Sequence, residues 1–142
     1  MKIKSNKGVV IIDPCYVLSD DAYDQLISQN GWEGGVYTVT VNGKTMEMMS
    51  HPTMNGDGYY ASNKTADFPV DSGSIGIIPV ELVDEKKMHE HFGDLEHIAD
   101  EWGYYKEGSG DVYLTYENGT FIINLMGEDS LKIYTEKWEY ED

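Results

Sequence analysis

The sequence contains no arginine, and lysine supplies all ten of its basic residues. Arginine is the side chain that holds phosphate and carboxylate groups through two parallel hydrogen bonds. Its absence argues against a pocket that clamps a nucleotide in this way. The sequence also lacks a Walker-type loop and a Gly-x-Gly-x-x-Gly motif, which argues in the same direction.

Cysteine and long apolar runs are nearly as scarce. Cys15 is the only cysteine, so an intramolecular disulfide and a cysteine-ligated zinc site are excluded. No window reaches the roughly 18 apolar residues that a membrane-spanning helix needs. The basic N-terminal residues are not followed by an apolar stretch of signal-peptide length. We therefore expect a cytoplasmic protein without a membrane partner.

Acidic residues, in contrast, are abundant. The chain has 26 of them in 142 residues, and its formal net charge is −16. Such a charge repels nucleic-acid phosphates and anionic membranes, so we expect no direct binding to nucleic acid. Net charge acts on solubility before it acts on function, and a simply very soluble protein is the plainer interpretation. An electrostatic partner would need a basic surface.

Turn signals and apolar periodicity indicate the fold class. Asn42-Gly43 and Asn118-Gly119 each separate two alternating runs, which predicts two hairpins with type I′ turns. Helical spacing over 19–30, 84–93 and 94–102 predicts short helices. We expect one α+β domain over the whole chain, residues 1–142. Its architecture would be a twisted, mostly antiparallel sheet or partly closed barrel with two or three short helices.

Two β-branched runs each deliver an aspartate to a turn. Residues 9–12 lead into Asp13-Pro14, and the apolar stretch 68–78 is interrupted at Asp71 by a turn or bulge. We expect both carboxylates to be partly desolvated and tied to the backbone N–H groups of their own turns. Two interpretations stay open: both are turn caps, or they converge and share a proton as a carboxylate pair.

The two aspartate motifs resemble a group of small proteins of bacteriophages and bacteria. The residues that carry the resemblance are Ile12-Asp13-Pro14-Cys15-Tyr16 and Val70-Asp71-Ser72-Gly73. The group includes domain-of-unknown-function families with a Val-Asp-Ala/Ser-Gly core strand. The resemblance spans residues 8–83 and implies a phage or bacterial origin and a compact, β-rich fold. It implies no activity. For a phage-encoded protein the compartment would be the host cytoplasm.

Residues 70–74 also resemble the Asp-Thr/Ser-Gly motif of aspartic proteases, and residues 124–129 resemble the apolar-apolar-Gly segment of the retroviral type. That resemblance implies a hydrolase in which Asp71 activates water as one of two carboxylates, and Asp13 is the candidate for the second. The sequence departs from the family between the two motifs. Residues 81–102 are predicted to be helical, whereas the family has a glycine-rich flap hairpin there.

The cysteine and histidine residues show no pattern that is typical of a reactive thiolate or of a metal site. Cys15 lacks the electropositive setting that a reactive thiolate needs, so we expect a structural thiol. On a helix His89 and His91 would point about 200° apart, and Gly93 interrupts the helix before His97. We therefore expect surface histidines, no metal site and no cofactor.

The functional hypothesis that the composition favours is a non-enzymatic acidic binding protein. It would inhibit or sequester a host factor with a basic surface, by imitating the charge of DNA or by opposing a defence system. The partner-binding residues would be Glu96, Asp100 and Glu101 on a helix face, with Trp138 and Tyr140 in the C-terminal tail. An oligomer is compatible with this hypothesis.

Two alternatives remain. One is a protein that binds or sequesters a small molecule such as a signalling metabolite, at a site formed by Asp13, Tyr16, Asp57, Tyr59, Asp71 and Ser72. The other is the hydrolase that uses Asp71 with Asp13, which requires the two carboxylates to approach hydrogen-bond distance.

Overall fold

The computed structural model describes residues 1–64 and 68–136, without the side chains of Asp100 and Glu101. The strands are β1 (Lys2–Ser5), β2 (Gly8–Ile12), β3 (Gly35–Val41), β4 (Lys44–Pro52), β5 (Gly58–Ser62), β6 (Phe68–Val70), β7 (Ser74–Pro79), β8 (Tyr104–Glu107), β9 (Gly110–Glu117), β10 (Thr120–Leu125) and β11 (Leu131–Tyr134). The α-helices are α1 (Asp20–Ser28), α2 (Glu85–His91) and α3 (Leu95–Glu101). Two short 3₁₀ turns cover Pro14–Tyr16 and Val80–Leu82.

The strands form two antiparallel sheets, which confirms the predicted α+β class. One sheet has six strands in the order β1-β9-β10-β11-β5-β6, and the other has five in the order β3-β4-β7-β2-β8. One of the two curls into a half-barrel. None of the three α-helices among the described residues is long and apolar enough to cross a membrane.

The five-stranded sheet is the middle layer of the molecule. Val9 and Ile11 of β2 face the six-stranded sheet and belong to the first core. Val10 and Ile12 face the other way, into a second core with residues of the helices. A strand that is buried on both faces needs a continuous apolar run rather than an alternating one, and residues 9–12 provide it.

The stretch 68–78 differs from the single interrupted strand that we expected. It forms β6 at the edge of one sheet and β7 in the centre of the other. The turn between them carries the chain from sheet to sheet, and Gly73 adopts a φ of 90° there. Asp71 lies in this turn and is exposed, so the expected desolvation of Asp71 is wrong.

The local signals for turns and helix starts are confirmed. Asn42 and Asn118 adopt φ values of 51° and 50°, as type I′ turns require. Ser19 caps α1 by accepting a hydrogen bond from the N–H of Ala22 at 3.1 Å. Asp84 and Asp94 cap α2 and α3 in the same manner. These positions were predictable because each interaction lies within a few residues.

Two glutamine side chains, one from α1 and one from the residue that follows it, cover the open edge of β3. The amide of Gln25 donates to the Thr40 carbonyl and accepts from the Thr40 N–H, each at 2.9 Å. The amide of Gln29 makes the same pair of bonds with Thr38, at 2.7 and 3.2 Å. The two side chains, one helical turn apart, thus satisfy the edge as a neighbouring strand would.

Replacing both glutamines (Gln25→Ala with Gln29→Ala) should uncover this edge. We expect the free energy of unfolding to fall by about 1 to 2 kcal/mol, since four exposed hydrogen bonds are lost. We also expect concentration-dependent self-association, because an open edge pairs with other strands. Urea denaturation and sedimentation velocity measure the two effects. Asp24→Ala on the same helix is the control, and equal behaviour of the two variants would refute the role of the glutamines.

Glu128, in the turn between β10 and β11, joins the two sheets. Its carboxylate accepts from Lys64 at 2.9 Å, from Lys106 at 2.7 Å and from the hydroxyl of Tyr104. Lys64 follows β5 in one sheet, whereas Tyr104 and Lys106 lie on β8 in the other. Burial raises the pKa of Glu128, but these three hydrogen bonds outweigh it and lower the pKa from 4.5 to about 2.

This lowered pKa predicts an acid-dependent loss of stability. The folded protein holds Glu128 ionised where the unfolded chain would protonate it, so the stabilisation is complete above about pH 4.5 and is lost towards pH 2. Because Glu128 is partly exposed, we expect this stabilisation of the folded state to amount to only about 1 kcal/mol. Urea denaturation between pH 5 and 2.5 should show a steeper loss for the wild type than for Glu128→Gln. Glu117→Gln should retain the wild-type slope, and identical slopes in all three would contradict the assignment.

Candidate functional site

The carboxylate of Asp13 joins two turns that are far apart in sequence. One oxygen accepts from the N–H of Cys15 at 2.9 Å and from the hydroxyl of Ser72 at 2.7 Å. The other accepts from the N–H groups of Asp71 and Ser72, at 2.6 and 2.7 Å. Asp13 is 1% exposed, so these four bonds replace its lost hydration. We call this arrangement, comprising Asp13 and residues 14–16 and 71–73, the Asp13 junction.

Local sequence places both halves of the junction. Pro14 cannot continue the ladder of β2 and begins a 3₁₀ turn that Asp13 caps. A third segment joins them, because the N–H of Thr53 donates to the Gly73 carbonyl at 2.9 Å. The loop that follows Thr53 leads into β5, whose Tyr59 pairs with Pro69 just before the junction.

The structure therefore brings together much of the small-molecule site that we predicted. Asp13, Asp71 and Ser72 are in direct contact, and the exposed Asp57 and Tyr59 lie on the adjoining loop and strand. Asp13 is not available to a ligand, however, because it is buried and both of its oxygens accept hydrogen bonds from the turns. Its observed contacts are those of a structural anchor.

Asp71 contributes its backbone, not its carboxylate, to the junction. Its N–H donates to Asp13, whereas its side chain faces solvent. Among the described residues no hydrogen bond joins the two carboxylates. If the two carboxylates shared a proton, Asp13 would have to lose one of the hydrogen bonds that it accepts from the turns, which costs about 1 to 3 kcal/mol. The hydrolase with Asp71 and Asp13 stays a prediction without the contact that it needs.

Cys15 and Tyr16, which belong to the junction, are held in their neutral forms. Burial, followed by the charge of Asp13, raises the pKa of the Cys15 thiol to about 12. Burial and the charge of Asp13 also raise the pKa of Tyr16. The ring of Tyr16 packs edge-on against Phe92 and Trp102, with centroids 6.1 and 5.6 Å away. Cys15 is therefore a poor nucleophile, and Tyr16 serves mainly as a packing residue.

A small crevice beside the junction was missed by the sequence analysis. Tyr23 of α1, the exposed Trp32 and Ser50 are among the residues that line it. Ser50 is 1% exposed, and its hydroxyl has no hydrogen-bond partner among the described residues. The volume of about 30 Å³ is enough for one water molecule. No sequence signal marks this site, because its walls come from separate elements.

Of the predicted partner-binding side chains, only that of Glu96 lies among the described residues. Glu96 is exposed on α3. Asp100 and Glu101 belong to the same helix, but their side chains lie outside the described residues, as do Trp138 and Tyr140 altogether. His89, His91 and His97 are exposed, as expected. Among the described residues no group of three histidine, cysteine or acidic side chains could hold a metal ion.

The net negative charge is concentrated in the part of the chain that contains the helices. We define the helical layer as residues 19–33 and 79–103, which contain the three helices that cover the second core. This layer holds 12 of the 26 acidic residues but only two of the ten lysines, a net charge of −10 out of −16. The described ion pairs involving lysine all use Glu128, outside this layer.

The role of the Asp13 junction can be tested by two isosteric substitutions. Asp13→Asn places an amide NH₂ against backbone donors and should lower the free energy of unfolding by about 3 kcal/mol. Asp71→Asn keeps the backbone bond and should change it by no more than about 0.5 kcal/mol. Urea denaturation measures both values. A stable Asp13→Asn variant, or equal losses in the two variants, would disprove the anchoring role of Asp13.

Comparison of the chain with protein-family models, with curated proteins and with solved structures finds no match. Function must therefore be inferred from the geometry of the Asp13 junction and from the charge of the helical layer.

Proposed function

We propose that the protein is a non-enzymatic acidic binding protein, encoded by a phage or prophage, that inhibits or sequesters a host factor with a basic surface. Its binding surface is the helical layer. A DNA-binding protein, for example one of a defence system, is the kind of target that such a surface fits, because the exposed carboxylates imitate the charge of phosphates.

The uneven distribution of charge is the observation that supports this proposal. A merely soluble protein needs net charge but does not need it on one face. Here Asp24, Glu90 and Glu96 are exposed on three helices of the same layer. The only lysines of that layer are Lys86 and Lys87, and Lys87 donates to the Leu18 carbonyl at 3.0 Å.

Rigid presentation is the second requirement of an inhibitor that imitates another molecule. The helices carry their carboxylates on a packed core, since Leu26, Met88 and Ile98 are all buried beneath them. Because the backbone that carries these side chains is already ordered, binding costs little further backbone entropy, which favours affinity.

Two matched triple variants test the surface. The face variant is Asp24→Asn with Glu90→Gln and Glu96→Gln. The control variant is Glu47→Gln with Glu117→Gln and Asp129→Asn, which are exposed outside the helical layer. Both lose three negative charges. Proteins captured from a bacterial lysate on the immobilised wild type are identified, and the dissociation constant of each purified partner is measured at several salt concentrations.

We expect basic partners whose affinity falls as the salt concentration rises. The face variant should bind about tenfold more weakly, at about 0.5 kcal/mol for each lost charge contact, while the control variant should bind like the wild type. Affinity that is independent of salt, or equal losses in both variants, would contradict the proposal.

A second candidate function is small-molecule binding beside the Asp13 junction, because Asp71, Ser72 and Tyr59 are exposed around it. The adjoining crevice, however, is far smaller than the roughly 300 to 1,000 Å³ of most ligand pockets. A thermal-shift screen of metabolites tests this candidate. A ligand that stabilises the wild type but not Asp71→Asn would favour it over the first.

A further inference from the structure

A partly apolar cleft of the helical layer lies beside Glu81, and the sequence analysis did not predict it. Its walls are the apolar side chains of Val80, Val83, Met88 and Leu95, and its volume is about 260 Å³. These residues come from the 3₁₀ turn Val80–Leu82 and the residue that follows it, from α2 and from the first position of α3. We call it the Glu81 cleft.

Glu81 lines this cleft and carries an unsatisfied acceptor. Its Oε1 atom is buried and has no hydrogen-bond partner among the described residues. A buried carboxylate oxygen without a donor is costly, because it has lost water and gained nothing in return. A ligand that carries a hydrogen-bond donor would remove this cost.

The charges around the cleft favour a donor that is positively charged. A second groove, of about 420 Å³, shares Glu81 and Glu85 with the cleft and adds Asp84. The cleft itself has one positive side chain, the exposed Lys7. Among the described residues the cleft has two carboxylates, Glu81 and Glu85, against one ammonium group, and Asp84 adds a third carboxylate in the adjoining groove. This excess favours a cation, and the apolar walls favour an aliphatic body behind it.

We propose that the Glu81 cleft binds a primary ammonium group on an aliphatic stem. The stem packs against Val80, Met88 and Leu95, and the ammonium group donates to Oε1 of Glu81. Two sources supply this chemistry: a free alkylamine, or a lysine side chain of a partner protein. The site does not depend on the proposed function, since a free amine would fill it without any protein partner.

Isothermal titration of the purified protein tests the cleft directly. The probes are cadaverine, as a free amine, and Nα-acetyl-lysine methylamide, as a lysine side chain without a protein. Pentanol and glutarate are the controls: the first has a similar stem without charge, and the second has the opposite charge. We expect saturable binding of at least one ammonium probe and none of pentanol or glutarate. The tighter of the two ammonium probes identifies the source.

Three substitutions distinguish the cleft from general charge attraction. Glu81→Gln should weaken ammonium binding about tenfold, because the charge-assisted hydrogen bond is lost. Lys7→Gln should tighten it about twofold, because a repelling charge is removed. Glu117→Gln, which lies outside the helical layer, should leave it unchanged. Circular dichroism verifies that each variant is folded, and Glu81→Ala provides a second variant at the same position.

The proposal is overturned if neither ammonium probe binds saturably, or if pentanol binds as tightly as they do. It is also overturned if glutarate binds and Lys7→Gln abolishes that binding, since the cleft would then be an anion site. An equal loss in Glu81→Gln and Glu117→Gln would show that only net charge matters. The acidic-surface proposal fails separately, through the face variant, which leaves Glu81 intact.

Discussion

One buried carboxylate holds the architecture together. Asp13 ends a strand of the middle sheet and accepts hydrogen bonds from the turn through which the chain passes between the sheets. It thereby fixes where β6 ends and β7 begins. The position of β7 in turn determines both cores, because Ile75 and Ile77 pack towards one sheet and Ile78 packs towards the helices. A carboxylate suits this position better than an amide, since all of its partners are donors.

The middle sheet imposes a second constraint, because it separates the six-stranded sheet on one side from the helical layer on the other. Its central strands β2 and β7 are buried on both faces, so their positions are closed to charged side chains. The helical layer holds most of the net negative charge, whereas seven of the nine described lysines lie outside it, among them Lys2, Lys4 and Lys132 on the six-stranded sheet. The uneven distribution of charge thus follows the division of the molecule into the helical layer and the two sheets.

Much of the secondary structure could be predicted because its causes are local. The Asn-Gly turns and the caps of the three helices depend on residues only a few positions apart. The passage of the chain between sheets at Asp71 could not be predicted, because an apolar run looks the same in one sheet as in two. Strand β8 was missed because it lacks alternation: Tyr104, Tyr105 and Lys106 are all half-buried. The Glu81 cleft and the glutamine pair that covers β3 depend on contacts between distant elements, which no periodicity reveals.

The uneven charge has a consequence for the first moments of an encounter. A molecule with −10 of its −16 charges in one layer has an electric dipole, and a basic object that approaches it exerts a torque before any contact is made. The helical layer would therefore turn towards that object during diffusion. For a partner that binds the helical layer, as proposed above, the fraction of collisions that begin in a productive orientation would rise, and with it the rate of association.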